Sequence, residues 1–219
     1  MGGLTLVIGN KNYSSWSLRP WLALTQAGIT FTETSISLYT PESRAKILEH
    51  SPAGKVPVLH DGAVTVWDSL SIGEYLAERF PRKQLWPKDS TARAVARSVS
   101  AEMHSGFAAL REHMSMNCRK QLPGKGRTPQ SLKDIERIRA LWNDCRGRFG
   151  AGGDFLFGSF SIADAMYAPV ALRFVTYAVE LDPVSAAYVK TITALPAIRQ
   201  WVAEAKEETE TIPQFELHG

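Results

Sequence analysis

The sequence predicts a small α/β unit followed by an all-helical one, and three observations carry that expectation. Short apolar runs suited to strands crowd into the first third of the chain, at residues 4–8, 31–38, 56–59 and 64–67. Beyond residue 88 strand-like alternation stops and helical periodicities take over. Between the two lies a stretch rich in charge and proline, residues 82–88.

Residues 4–8 form a continuous apolar run and read as a buried strand. The polar stretch 9–15 leads into an apolar-periodic helix over 18–27, stopped by Gly28, with Pro20 in its first turn, where the missing N–H costs no hydrogen bond. Residues 31–38 alternate as a second strand, and a weaker helical stretch, 43–49, runs into Pro52-Ala53-Gly54. Residues 56–59 and 64–67 flank an Asp61-Gly62 turn signal and read as a hairpin. A helix over 70–79 ends before Pro81. The order βαβ, α, ββα is a thioredoxin-like plan. In the second part, residues 92–116 read as one long helix, 123–129 as a Gly/Pro-containing break, 132–149 as a helix and 150–158 as a loop. Ser161 and Asp164 have the S-x-x-D spacing of a capping box before an apolar helix over 165–177, and helices over 183–193 and 197–208 follow. The expected division is a thioredoxin-like domain over 1–81, a linker over 82–90 and an all-α domain over 91–219.

A chain of 219 residues, 44% hydrophobic, can bury one large core or two modest ones. Cys118 and Cys145 show no CxxC pairing and no metal-ligand spacing, so free thiols are expected, with no disulfide framework and no metal. The first apolar run is too short for a membrane span or a signal segment, and Leu6 sits where a myristoylation sequence starting at Met1-Gly2 needs Ser or Thr. The expectation is a soluble, cytoplasmic protein with no membrane partner. Formal net charge is +3, and residues 111–148 carry ten basic against four acidic side chains. Aromatic residues at stacking spacing and nucleic-acid motifs are absent there, so a solvated helix face is expected over a nucleic-acid partner, with an anionic small substrate as the other reading.

Three pieces of the first unit carry candidate chemistry. In Tyr13-Ser14-Ser15-Trp16-Ser17-Leu18-Arg19, hydroxyls stand at a helix N-terminus, where unpaired N–H groups and the helix dipole favour a nearby anion. The same serines suit capping, with Ser17 the expected cap. In Lys55-Val56-Pro57, an X-Pro bond is cis in only about 5–6% of cases, so sequence alone argues for trans. Lys55 either offsets a ligand carboxylate or is simply solvated. In Asp68-Ser69 a helix opens, with a further capping box available from Ser71 and Glu74, and its N-terminal amides suit a carboxylate.

The order and spacing of these pieces, over residues 4 to about 208, resemble the cytosolic glutathione S-transferases, in particular a bacterial serine-type, zeta- or theta-like enzyme. The resemblance implies a cis Val56-Pro57 bond that turns the Val56 N–H and C=O toward the cysteinyl backbone of glutathione. It implies that Ser69 and the amides behind it take the γ-glutamyl carboxylate, that Asp68, where relatives more often have Glu, takes the α-amino group, and that Lys55 offsets a carboxylate of the tripeptide. Ser14 matches the activating serine of the zeta segment Ser-Ser-Cys-Ser-x-Arg, while theta-class spacing favours Ser15. A thiol lowered by about two units from about 8.5 would favour the thiolate by roughly 2.7 kcal/mol. Trp16 replaces the zeta cysteine, a departure that bears on isomerase chemistry. The segment from Gly158 to Asp164 resembles the family's folding signal for its central second-domain helix. Arg173 either binds an acidic substrate or forms a surface salt bridge, and Trp16, Tyr39, Phe107 and Met114 either line an apolar electrophile site or pack in the core. The implied reaction is addition of the glutathione thiolate to a small electrophile, or glutathione-dependent isomerisation of an unsaturated acid, by a homodimer without metal and with detoxification as the expected role. The rivals are a non-catalytic assembly module of the same fold, a thiol-disulfide reductase, which serine in place of cysteine disfavours, and a nucleic-acid binder.

Overall fold

Strand β1 (Leu4–Gly9) is central because both of its faces are apolar. Leu4, Leu6 and Ile8 join the main core, whereas Val7, one residue out of step, packs with Ile36, Ile47 and Val58 on the opposite face. In the computed structural model, which describes residues 3–216, the sheet order is β2-β1-β3-β4; the Met1-Gly2 start lies outside the described residues. The βα crossover through α1 (Ser15–Gln26) makes β2 (Phe31–Ile36) parallel to β1, while β3 (Val58–Asp61) and β4 (Val64–Trp67) complete the sheet in antiparallel pairing. Ile47 of the short α2 (Ser43–Leu48) covers the Val7 face. Helices α1 and α3 (Ser69–Arg79) cover the other.

The second part is helical: α4 (Ser90–Ser105), α5 (Ala108–His113), α6 (Pro129–Phe149), α7 (Ile162–Thr176), α8 (Pro183–Ala194) and α9 (Pro196–Glu207). Helix α7 is buried from residue 162 to 174 and packs against α1, α4 and α8, so it joins the two halves. Its start is fixed as the S-x-x-D spacing predicts: Asp164 Oδ2 accepts the Ser161 N–H at 2.8 Å. The expected αβ-then-α architecture is present.

Several boundaries differ from expectation, each for a local reason. The hairpin turn is Gly62-Ala63, because Asp61 pairs with Val64; Gly62 supplies the left-handed φ of +58°. Strand β3 starts two residues late, after a cis Val56–Pro57 bond. The single helix expected over 92–116 is two, α4 and α5, broken where Phe107 takes a left-handed φ of +58° and turns its ring into the core. Helix α1 starts at Ser15, three residues early, so Ser14 and not Ser17 is its cap. Helix α3 is capped by Asp68, whose Oδ1 accepts the Leu70 N–H at 2.8 Å. The Ser71/Glu74 box does not form, since Glu74 accepts from Trp86 and Arg97 instead.

The basic stretch 111–148 spends several charges in intramolecular ion pairs on a solvated surface: Arg137 pairs with Glu102, Arg139 with Asp182 and Arg148 with Asp144. Cys145 is buried, Cys118 half-buried, and both are free; burial pushes both thiols up to about 12. Among the described residues no helix is long and apolar enough to cross a membrane.

Close approach fixes a glycine ahead of α6. Gly126, at φ +69°, lies where a Cβ would stand 2.2 Å from the His113 carbonyl oxygen. Gly126→Ala is expected to cost about 3 kcal/mol and to lower the melting temperature by roughly 6–12 °C. A thermal melt within about 2 °C of wild type would show that the 113–114 backbone gives way at little cost.

Candidate functional site

A cleft of about 1070 Å³ opens between the sheet and the helical part, and the sequence-predicted pieces meet on it. Ser14, Ser15, Lys55, Val56, Pro57, Asp68 and Ser69 all line it. The loop before α1 is polar in sequence, yet residues 10–15 are buried. Such a loop is stable only if most of its polar groups find partners, and here they do, Asn12 Nδ2 excepted among the described residues. Asn10 Oδ1 accepts the Leu38 N–H at 2.7 Å, and Asn12 Oδ1 accepts those of Cys118 and Arg119 at 2.8 and 3.1 Å. The Lys11 and Asn12 N–H groups donate to the Glu208 carboxylate at 2.5 and 2.9 Å. Ser14 and Ser15 are therefore held on a rigid support.

Ser14 Oγ accepts the Ser17 N–H at 3.4 Å and donates to Ser17 Oγ at 2.7 Å. Ser15 Oγ accepts from Arg173 Nη2 at 3.2 Å. Val56 and Pro57 present an edge that stops short of β3, and none of the described residues hydrogen-bonds the Val56 N–H or C=O. Ser69 opens α3 and its Oγ accepts from Arg19 Nη1 at 3.5 Å. Both Asp68 oxygens have protein partners, the Leu70 N–H and, at 3.2 Å, His104 Nε2, so its capping role is filled in the structure.

The other end of the cleft is cationic. Trp16 lies between two guanidinium groups, Arg19 at 4.1 Å and Arg111 at 5.6 Å from its ring centroid, with His104 edge-on at 5.3 Å. Burial, then Arg173 and Arg111, lowers Arg19 to about 9; burial, then Arg111, lowers Arg173 to about 10. Two Arg19 nitrogens, Nε and Nη2, have no hydrogen-bond partner among the described residues. The region concentrates positive charge in low dielectric, which favours anions.

The structure corrects several expectations at this end. Arg173 is no surface residue: it is 3% exposed and lines the cleft floor. Met114 and Phe107 are core residues outside the cleft lining, and Met114 contributes its carbonyl to Arg173 Nε at 2.8 Å; Met116 lines the wall instead. Trp16 and Tyr39 do line it. Sequence reasoning missed Arg111, His104 and Phe215. Phe215 sits in the C-terminal turn Pro213–Phe215, 5.3 Å ring to ring from Tyr39 and 6.0 Å from Tyr13. Nothing local in the tail signals that placement; it depends on Glu216, which accepts from Tyr13 and Asn117 and pairs with Lys120. No group of three or more His, Cys, Asp or Glu among the described residues is arranged to hold a metal ion.

The family models described as "Glutathione S-transferase, N-terminal domain" and "Glutathione S-transferase, C-terminal domain" match residues 13–79 and 92–204, and the chain belongs to the glutathione S-transferase family. It is similar to glutathione S-transferase Z2 of Arabidopsis thaliana, 26% identical with 91% of this chain and 93% of that one covered. It is also similar to maleylacetoacetate isomerase of Rattus norvegicus, 28% identical with 79% of each covered. A glutathione transferase homolog from Burkholderia with bound glutathione shares the fold, with a TM-score of 0.72, 24% identity, and coverage of 94% of this chain and 100% of that one.

Proposed function

We propose that this chain binds glutathione along the Val56–Ser69 side of the cleft, ionises its thiol at the head of α1 and uses the thiolate on a small electrophile. The observation that carries this reading is the meeting of three features on one cavity wall: unpaired backbone at Val56 just ahead of β3, a helix N-terminus at Ser69 and the serine pair of α1. Together they match a tripeptide in its backbone, its terminal carboxylate and its thiol. Lys55 faces the same wall and suits a further carboxylate. The catalytic candidates are Ser14 and Ser15. A non-catalytic module has no need of this alignment. Residues 1–81 would supply the glutathione half and 91–219 the electrophile half, joined by the linker over 82–90. We further propose a homodimer, a cytoplasmic location and a detoxification role, readings that family membership supports.

The electrophile we infer is anionic, an unsaturated or otherwise activated acid, because Arg111 lines the cleft beside Trp16 and, among the described residues, hydrogen-bonds only the Met103 carbonyl, at 3.4 Å. Support also comes from the isomerase names that several relatives carry. Arg111→Leu is expected to reduce kcat/KM for an acidic electrophile roughly tenfold or more while sparing a neutral one. Equal losses on both would remove Arg111 from substrate recognition. Ser69→Ala should weaken glutathione binding about tenfold and leave the turnover of saturated enzyme nearly unchanged. The decisive experiment is a pH titration of thiolate ultraviolet absorbance with glutathione bound: a thiol well below its free value supports the reading, and an unshifted one rejects it.

A further inference from the structure

The two serines at the head of α1 are chemically unequal. Ser14 Oγ donates to Ser17 Oγ at 2.7 Å, and Ser17 Oγ accepts the Gly9 N–H at 3.1 Å. That relay ties β1 to α1 and consumes the Ser14 proton. Ser15 has the opposite arrangement. Its Oγ accepts from Arg173 Nη2 at 3.2 Å, and none of the described residues accepts its proton, which is free for an occupant of the cleft.

Arg173 is oriented from three sides: Nε donates to the Met114 carbonyl at 2.8 Å, Nη1 to the Pro169 carbonyl at 3.3 Å and Nη2 to Ser15. It is 3% exposed, and no carboxylate among the described residues pairs with it. We propose that Ser15 donates the hydrogen bond to the glutathione thiolate and that Arg173 is the positioning residue that orients Ser15 and polarises its O–H, leaving Ser14 to cap the helix.

A cation on the lone pair of a hydroxyl makes that hydroxyl a stronger donor, and the effect grows in low dielectric. The same charge, one residue removed from the sulfur, favours thiolate over thiol. The glutathione thiol loses its proton to solvent, Ser15 keeps its own throughout, and no bond to Ser15 forms. The charged and titratable groups lining the cleft here are Arg111 and Glu112 from α5, His104 from α4, Asp68 ahead of α3, and Lys55 and Arg44 on the tripeptide side, with Arg19 of α1 beside Trp16. Glu112 and Asp68 oppose the thiolate; the arginines and Lys55 favour it. The proposal takes Arg173 out of direct substrate binding, which falls to Arg111.

This proposal rests on the glutathione reading, so its test measures binding and ionisation separately. S-methylglutathione, which has no thiol, reports binding by calorimetry; bound-thiolate absorbance against pH reports ionisation. Ser15→Ala is expected to raise the bound thiol pKa by about one unit or more, cutting the thiolate fraction roughly tenfold in acid, with S-methylglutathione affinity within about twofold of wild type. Ser14→Ala should lower the melting temperature by a few degrees and leave the bound pKa near wild type. Arg173→Gln should raise the pKa as Ser15→Ala does, and Arg173→Lys should restore part of the shift, a rescue that a packing role would not produce. A raised pKa in Ser14→Ala with none in Ser15→Ala overturns the assignment while glutathione binding stands. If Arg173→Gln does not fold, the two serine variants decide the matter. Absence of S-methylglutathione binding to wild type rejects the glutathione reading and this proposal with it.

Discussion

Asp164→Ala is expected to destabilise the protein by about 3–5 kcal/mol, lowering its melting temperature by roughly 10 °C. The Asp164 side chain is fully buried at the start of α7 and gathers four donors: the Leu156 and Ser161 N–H groups at 3.0 and 2.8 Å, Ser161 Oγ at 3.2 Å and Tyr188 OH at 3.1 Å. Burial raises its pKa to about 6 against the pull of those donors, so it is ionised at neutral pH. Alanine leaves two backbone N–H groups and a buried phenol without acceptors, each worth about 1–3 kcal/mol. Helix α7 also carries Arg173, so the same change loosens the support of Ser15. Asp164→Asn, which keeps one acceptor oxygen, should retain part of the stability. A denaturation midpoint for Asp164→Ala close to wild type would mean that water or a backbone shift satisfies the orphaned donors.

The parts of this molecule that were legible in the sequence are those whose cause is local. The S-x-x-D spacing before α7, the strand alternation and the serine-rich head of α1 each act over a few residues, and each is present, although α1 starts three residues earlier and β3 two residues later than expected. What stayed hidden was set by distant partners. The stretch before α1 looks solvated because its residues are polar, but it is buried under residues 117–119 and 201–208, whose approach no local pattern announces. Arg173 reads as a surface cation because a buried arginine without a carboxylate is costly. Its burial becomes intelligible only with the Met114 and Pro169 carbonyls and Ser15 around it. The break at Phe107 belongs to the same group, since a continuous helical pattern gives no reason for one residue to turn left-handed and bury its ring.

Lys11 shows how far such hidden contacts determine the site. Its ammonium is nearly buried, 5.3 Å from the ring centroids of both Trp21 and Trp201, and pairs with Glu33 at 2.8 Å and with Glu204. Trp201 Nε1 donates to the Lys11 carbonyl at 2.9 Å, and Trp21 Nε1 to Glu33 at 2.7 Å, so one residue ties the loop before α1 to β2 and α9. Lys11→Met keeps the volume between the indoles but removes the charge, leaving two carboxylates facing each other. The expected loss is about 2–3 kcal/mol, below the usual cost of breaking a buried pair because both glutamates are partly solvated. Adding Glu33→Gln and Glu204→Gln should recover much of it, a coupling that a simple packing loss would not show. The pH dependence has a definite sign. Burial alone would raise Glu204, but hydrogen bonds from Lys11 and Gln200 hold it below its ordinary 4.5. A carboxylate depressed in the folded state contributes stability above its unfolded value and loses it as pH falls through the folded one. The gap between wild type and Lys11→Met should therefore be full at pH 7 and shrink below about pH 4.5, as a urea titration at several pH values would read. A gap independent of pH would assign the role of Lys11 to its aliphatic stem between the two indoles.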